Sequence, residues 1–249
     1  MKKRINLEEL LGKPTKFYEK FHDATKIKKF PPEISPSLWP AEWKKIDYKG
    51  YPRLEEVKLP KPSLSSKTSF SEVLKKRSSK RDFANNPLTR QEISSLLYFC
   101  CGERLEDNIG RRFYPSAGAM YPIEVYLLLR KSEIGQGLYH YYVRSNTLER
   151  IGEINSRMLA FTNQEWIKKA QCIVILTAVF NRNTKKYGDR GYRHVMMEAG
   201  GLIQNFYLVS SALNLACCAS GGYIDDKINK ALGIDGVKEA VVAVLAIGK

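Results

Sequence analysis

The stretch KKYGDRGYRHVMMEAGG runs from Lys185 to Gly201 and continues as LIQNFYLVSSALNL. Tyr192, Val195, Met196, Ala199, Leu202, Ile203, Phe206 and Leu213 recur there at helical spacing, which predicts one long central helix headed by lysines, a tyrosine and arginines. Gly200 and Gly201 sit inside it. Each costs about 1 kcal/mol relative to alanine in a helix interior, so another backbone or a flat ligand is expected close to them.

Around this axis the segments EVYLLLR (124–130), GLYHYYV (137–143), CIVILTAV (172–179) and EAVVAVLAI (239–247) are β-branched or aromatic runs bounded by Gly, Ser or charges, and they read as strands. In LTRQEISSLLYFCCG (88–102), Thr89 and Glu92 have the spacing of a capping box, with Leu88 and Ile93 as a hydrophobic staple. Ile93, Leu96, Leu97 and Cys100 then share one helical face, and Gly102 closes the helix. Alternating helices and strands predict an α+β fold, a mixed central sheet surrounded by helices.

Eight of the eleven prolines fall before Ser63, as in KFPPEISPSLWPAEW, so residues 1–63 are expected to form an extended arm. Trp39 and Trp43 argue that the arm packs on a neighbouring surface. Residues 64–249 form the body.

The formal net charge is +15, and both arm and body carry an excess of Lys and Arg. No zinc-finger, RRM or basic-zipper pattern accompanies it, so no nucleic-acid partner is expected; a basic RNA-binding protein is the rival class. No window is apolar enough for a membrane span or a secretory signal, and a cytoplasmic protein is expected. The adjacent pairs Cys100/Cys101 and Cys217/Cys218 lack metal-ligand or CxxC spacing and read as small buried apolar residues.

Three stretches carry chemistry. In KKRSSKRDF (75–83), Arg77, Ser79 and Arg81 alternate, so an extended backbone would turn two guanidinium forks and a hydroxyl to one side, a geometry suited to a phosphate dianion. FYPSAGAMYPIEVYLLLR (113–130) leads a small-residue loop into a strand, which lets a backbone approach a planar ring. LACCASGGYIDDKINKALGIDG (215–236) places a glycine pair before a helix capped by Asp225 and stopped by Gly233, and amides in such a turn can donate to a ring heteroatom. Neither GxGxxG nor GxxxxGK[ST] occurs.

Together RSSKRDF, PSAGAMYPIEVYL, KYGDRGYRHVMMEAGGLIQN and CASGGYID resemble the nitroreductase superfamily, specifically its SagB-type branch of azoline dehydrogenases. FHDATK (21–26) is similar to that branch's N-terminal extension. The resemblance implies an FMN-dependent oxidoreductase, an intertwined homodimer with two interface flavin sites. It assigns Arg77, Ser78, Ser79 and Arg81 to the flavin phosphate and ribityl chain. Pro115, Ser116, Ala117 and Gly118 match the loop that the partner subunit lays on the isoalloxazine; Ser220, Gly221 and Gly222 match the segment facing its reactive nitrogen.

By the same resemblance Lys186 and Tyr187 are the proton-transfer pair, with Gly200 and Gly201 where the central helix crosses its dimer mate. A lysine at a helix head beside a second cation would have a depressed pKa. Many family members place basic phosphate ligands after the last strand; AIGK offers Lys249, and Arg193 is the other choice. The substrate is a peptide azoline, or a nitro or quinone acceptor with NAD(P)H as co-substrate. A flavin-binding protein without turnover is a further alternative.

Overall fold

The computed structural model describes residues 16–29, 35–64, 68–104 and 109–249. Seven strands, β1 (Glu56–Lys58), β2 (Ile123–Leu129), β3 (Gly137–Tyr142), β4 (Thr147–Gly152), β5 (Cys172–Val179), β6 (Ala216–Ser220) and β7 (Glu239–Gly248), join in one sheet. Their order is β1-β4-β3-β2-β5-β7-β6, and every neighbouring pair is antiparallel. The expected mixed sheet is corrected here. The intervening helices do return β6 parallel to β5, but β7 lies between the two and pairs antiparallel with both.

Seven α-helices are present among the described residues: α1 (Phe17–Ala24), α2 (Phe70–Lys76), α3 (Arg90–Cys101), α4 (Glu165–Lys169), α5 (Asn181–Tyr187), α6 (Arg190–Ala212) and α7 (Asp225–Leu232). The alternation of side chains along β2 explains the layering. Val125, Leu127 and Leu129 face one core, shared with Ile93, Leu96 and Leu97 of α3 and Val195, Leu202 and Phe206 of α6. Tyr126 and Leu128 face the other, shared with Ile167 of α4 and Ile228 and Leu232 of α7. Both faces of the sheet are therefore covered. The Thr89 hydroxyl accepts the Glu92 N–H, the Glu92 carboxylate accepts the Thr89 N–H, and Leu88 and Ile93 are buried beside them, as the sequence predicts. All five cysteines are buried and free.

The single long helix expected from Lys185 onward is two helices. Gly188 ends α5 at φ 54°, ψ −148°, a conformation open to glycine and strained for other residues. α6 starts afresh at Arg190, and a Cβ on Gly191 would lie 3.0 Å from Thr184 Cα, so the two helices meet through that glycine.

Among the described residues of 1–63 the structure is less extended than the prolines imply. α1 precedes most of them, and β1 adds an edge strand beside β4. The Tyr51 N–H donates to Glu149 Oε1 (2.6 Å), and that carboxylate also holds the buried His140, whose other nitrogen meets Glu124.

Candidate functional site

The segment after α2 is drawn along β6 by the Lys80 N–H, which donates to the Cys217 carbonyl (3.0 Å). Arg77 lies over the Tyr207 ring (5.5 Å) and Ser79 Oγ is 3.1 Å from Tyr207 Oη, which accepts the Ala219 N–H. Arg81 lies over the Trp166 ring (5.4 Å). Alternation also turns Ser78 and Lys80 together, and with Lys76 at the end of α2 they line a cavity of about 150 Å³ with Tyr207, Asn214 and Cys217. Sequence reasoning assigned no role to the two lysines, although the place of Lys80 in the alternation marks it.

At the end of β6, Ser220 Oγ donates to Gln164 Oε1 (3.0 Å) and accepts the Gly222 N–H (3.1 Å). A Cβ on Gly222 would collide with the Gln164 amide, whereas one on Gly221 would meet nothing within 4 Å. The pair thus divides its work: Gly222 is glycine because Gln164 crowds it, and Gly221 faces open space.

A second group gathers around the loop before β2. Ser116 Oγ donates to Glu198 Oε2 (2.6 Å) and accepts the Tyr121 N–H (2.9 Å), which folds the loop back on itself. Gly118, Ala119 and Tyr121 all have positive φ. A Cβ on Gly118 would stand 2.7 Å from Tyr187 Oη and 3.3 Å from Lys186 Nζ, so Pro115–Gly118 and the Lys-Tyr pair belong to one surface. Helix α5 is pinned there by the buried Arg182, which bonds the Tyr121 carbonyl (3.0 Å) and Glu124 (2.5 Å).

The electrostatics of this group favour neutral forms. Burial lowers the Lys186 pKa and raises that of Tyr187. Burial, with help from Arg190, lowers that of His194, whose ring meets Tyr187 edge-on at 4.8 Å. Glu198 is pushed up to about 8 by burial, against the Ser116 hydrogen bond and Arg112. Four shifted groups in one place are the pattern of a functional site. The helix-head reasoning for Lys186 is corrected: it occupies the last turn of α5, where the helix dipole favours a cation, and desolvation alone depresses its pKa.

Sequence reasoning also missed Glu198 and His194. The signal was a carboxylate set among the apolar positions of the predicted helix, with a histidine one turn before it.

The two groups lie apart along α6: Glu198 touches Ser116 of the loop, and Tyr207, nine residues further along, touches Ser79, a separation of about 13 Å at helical rise. Gly200 and Gly201 lie between them, and a Cβ on either would meet nothing within 4 Å. The close approach expected there is not made inside the chain. Lys249 Nζ is paired with Glu92 Oε1 (3.1 Å), and Arg193 lies over Phe21 and bonds the His22 carbonyl, so both basic candidates for the phosphate have partners elsewhere.

Among the described residues no helix is long and apolar enough to cross a membrane, and no group of three or more His, Cys, Asp and Glu could hold a metal ion. The profile of the Nitroreductase family matches residues 74–249. The chain belongs to the nitroreductase family. It is 34% identical over 202 residues to MJ1384 of Methanocaldococcus jannaschii, assigned as a nitroreductase, covering 80% of this chain and 94% of that protein. It is 36% identical over 135 residues to the microcin B17-processing protein McbC of Escherichia coli, a match spanning 50% of this chain and 49% of McbC. In three dimensions it is similar to the E. coli microcin synthetase McbBCD complex with truncated pro-MccB17 bound, with TM-score 0.62 and 25% identity over 100% of this chain and 99% of that one. The McbC and McbBCD matches support the SagB-type branch that its motifs resemble.

Proposed function

We propose that this nitroreductase is an FMN-dependent, homodimeric oxidoreductase that oxidises azoline rings in peptides. The observation that carries the reading is the contact of Lys186 and Tyr187 with Gly118, the loop residue set against the flavin in the family resemblance. FMN supplies hydride acceptance when bound. The chain fits such a group at both surfaces. Arg77, Ser78, Ser79, Lys80 and Arg81 offer cations and hydroxyls to a phosphate, Gly221 leaves open space for a flat ring, and the Ser116–Gly118 loop presents backbone without side-chain bulk.

Each surface is half a site. A second copy, crossing at Gly200 and Gly201, would lay its loop and Lys-Tyr pair over the first copy's basic segment. Lys186, in its free-amine form, removes the ring proton while hydride leaves the adjacent carbon; Tyr187 hydrogen-bonds the ring or carries the proton onward. Loss of a general base costs about 10²- to 10⁴-fold in turnover.

The test compares Lys186→Ala and Tyr187→Phe with the parent on a thiazoline peptide, with flavin content measured beside the rate. The expected outcome is a rate loss in that range at full occupancy. Unchanged oxidation would remove both residues from the mechanism. Rapid bleaching of the flavin by NAD(P)H without azoline oxidation would instead support the nitro or quinone reductase reading, which the resemblance to MJ1384 favours. A flavin that neither substrate changes would mark a binding protein.

A further inference from the structure

The N-terminal segment meets the Lys186–Tyr187 surface at close range. The Lys186 ammonium lies 4.0 Å from the centre of the Trp39 ring, 5.6 Å from Trp43 and 5.6 Å from its neighbour Tyr187. The two indoles meet each other edge-on at 6.4 Å. Gly118 closes the remaining side, since its Cβ position is 3.3 Å from the same nitrogen. Three aromatic rings around one ammonium are the arrangement by which proteins hold cations without a carboxylate.

This contact contributes no core. Trp39 and Trp43 stand at the ends of two short 3₁₀ turns, Pro36–Leu38 and Ala41–Trp43, neither of which contains a buried residue. Anchors on either side hold the strap in place. Before it, Arg190 donates to the Thr25 carbonyl (2.9 Å) and Phe21 packs edge-on against Tyr192 (5.4 Å). After it, Asp47 pairs with Lys185 (3.2 Å), the residue next to the caged lysine.

We infer that Trp39 and Trp43 are positioning and specificity residues of the Lys186–Tyr187 site, caging the ammonium and forming an outer wall that a substrate must displace. Two consequences follow from the chemistry. A π face stabilises the ammonium and not the free amine, so the indoles oppose the desolvation that lowers the Lys186 pKa, and their displacement by a substrate favours the free amine. A flat unsaturated ring carried on an extended peptide can take the place of the indole over the lysine, whereas a compact acceptor without such a ring cannot. The cage stands on geometry alone; only its displacement by a ring substrate rests on the azoline reading.

The test is reductive methylation of the full-length protein with formaldehyde and a borane, with Lys186 and the exposed Lys230 followed by peptide mapping. In the parent, Lys186 should react more slowly than Lys230. In the Trp39→Ala/Trp43→Ala double variant it should react about tenfold faster, while Trp39→Phe, which keeps a π face, stays near the parent. If the double variant does not fold, Trp39→Leu keeps the bulk and loses the π face, and serves the same comparison. Labelling of Lys186 that is equal in the parent and the π-deficient variants overturns the cage. With a thiazoline peptide, loss of the wall should lower KM, because no indole has to be displaced, with kcat changed less; an unchanged KM would mean that the substrate does not take the indole's place. Faster labelling together with no azoline oxidation by any form keeps the cage and refutes the azoline reading instead.

Discussion

Replacing Glu198 with glutamine should change how stability depends on pH. The carboxyl is 4% exposed, its pKa is pushed up to about 8, and Oε1 has no hydrogen-bond partner. In the unfolded chain a glutamate titrates near 4.3. Between these values the folded protein keeps a proton that the unfolded chain gives up, so the neutral carboxyl's contribution is complete below the lower value and is lost as pH rises toward 8. The slope is about 1.4 kcal/mol per pH unit. Glutamine accepts the Ser116 hydrogen bond as well and has no proton to lose. Urea unfolding of parent and Glu198→Gln at pH 5.5, 6.5 and 7.5, at one protein concentration and one flavin loading, isolates the effect, because every other titrating group is common to both. The stability difference should move in favour of the variant by about 2–3 kcal/mol across that span. Parallel pH profiles would refute the reasoning and mean that Glu198 is ionised in the folded protein or does not titrate in this range.

Three further outcomes are expected. Arg77→Ala/Arg81→Ala should weaken FMN affinity most strongly at low salt, where the charge attraction is least screened, and flavin affinity equal to the parent at every salt concentration would remove both from the phosphate site. Gly118→Ala places a methyl 2.7 Å from the Tyr187 hydroxyl at φ 65°, so azoline oxidation should fall at least about tenfold with unchanged far-UV circular dichroism. Sedimentation should show a dimer whose dissociation releases flavin; a monomer at full occupancy would mean that each chain builds its whole site.

What could be read without coordinates followed the strength of local rules. Four strands were long apolar runs, and Thr89 with Glu92 announced α3. The same rule finds α2, since Ser69 and Glu72 form a second capping box; Phe70, Val73 and Leu74 share a face there, but the helix is only seven residues long and buries only Val73. Strand β4 carries a weak signal because TLERIG is half polar, and β6 because the short ACCAS runs straight into the glycine turn. The break at Gly188 was written in YGDRG, but the apolar spacing begins only at Tyr192, and α5 buries the polar Arg182 and Asn183, so no apolar stripe marks it as a helix of its own. The site residues were named by motif, and alternation alone could not say which side of residues 76–81 faces a ring and which a cavity. That choice was made by Tyr207 and Trp166, far away in sequence.

The position of β7 bears on how the protein is made. The chain lays down β5 and β6 before the strand that separates them, and about sixty residues lie between the end of β5 and the start of β7. At 5–20 residues per second the ribosome takes roughly 3–12 s to produce them. Throughout that interval the Val- and Ile-rich Cys172–Val179 strand has one edge with no hydrogen-bonding partner, the condition under which nascent chains aggregate. Yield in a cell should therefore respond to translation speed and chaperone supply over residues 180–248 more than over any other part of the body.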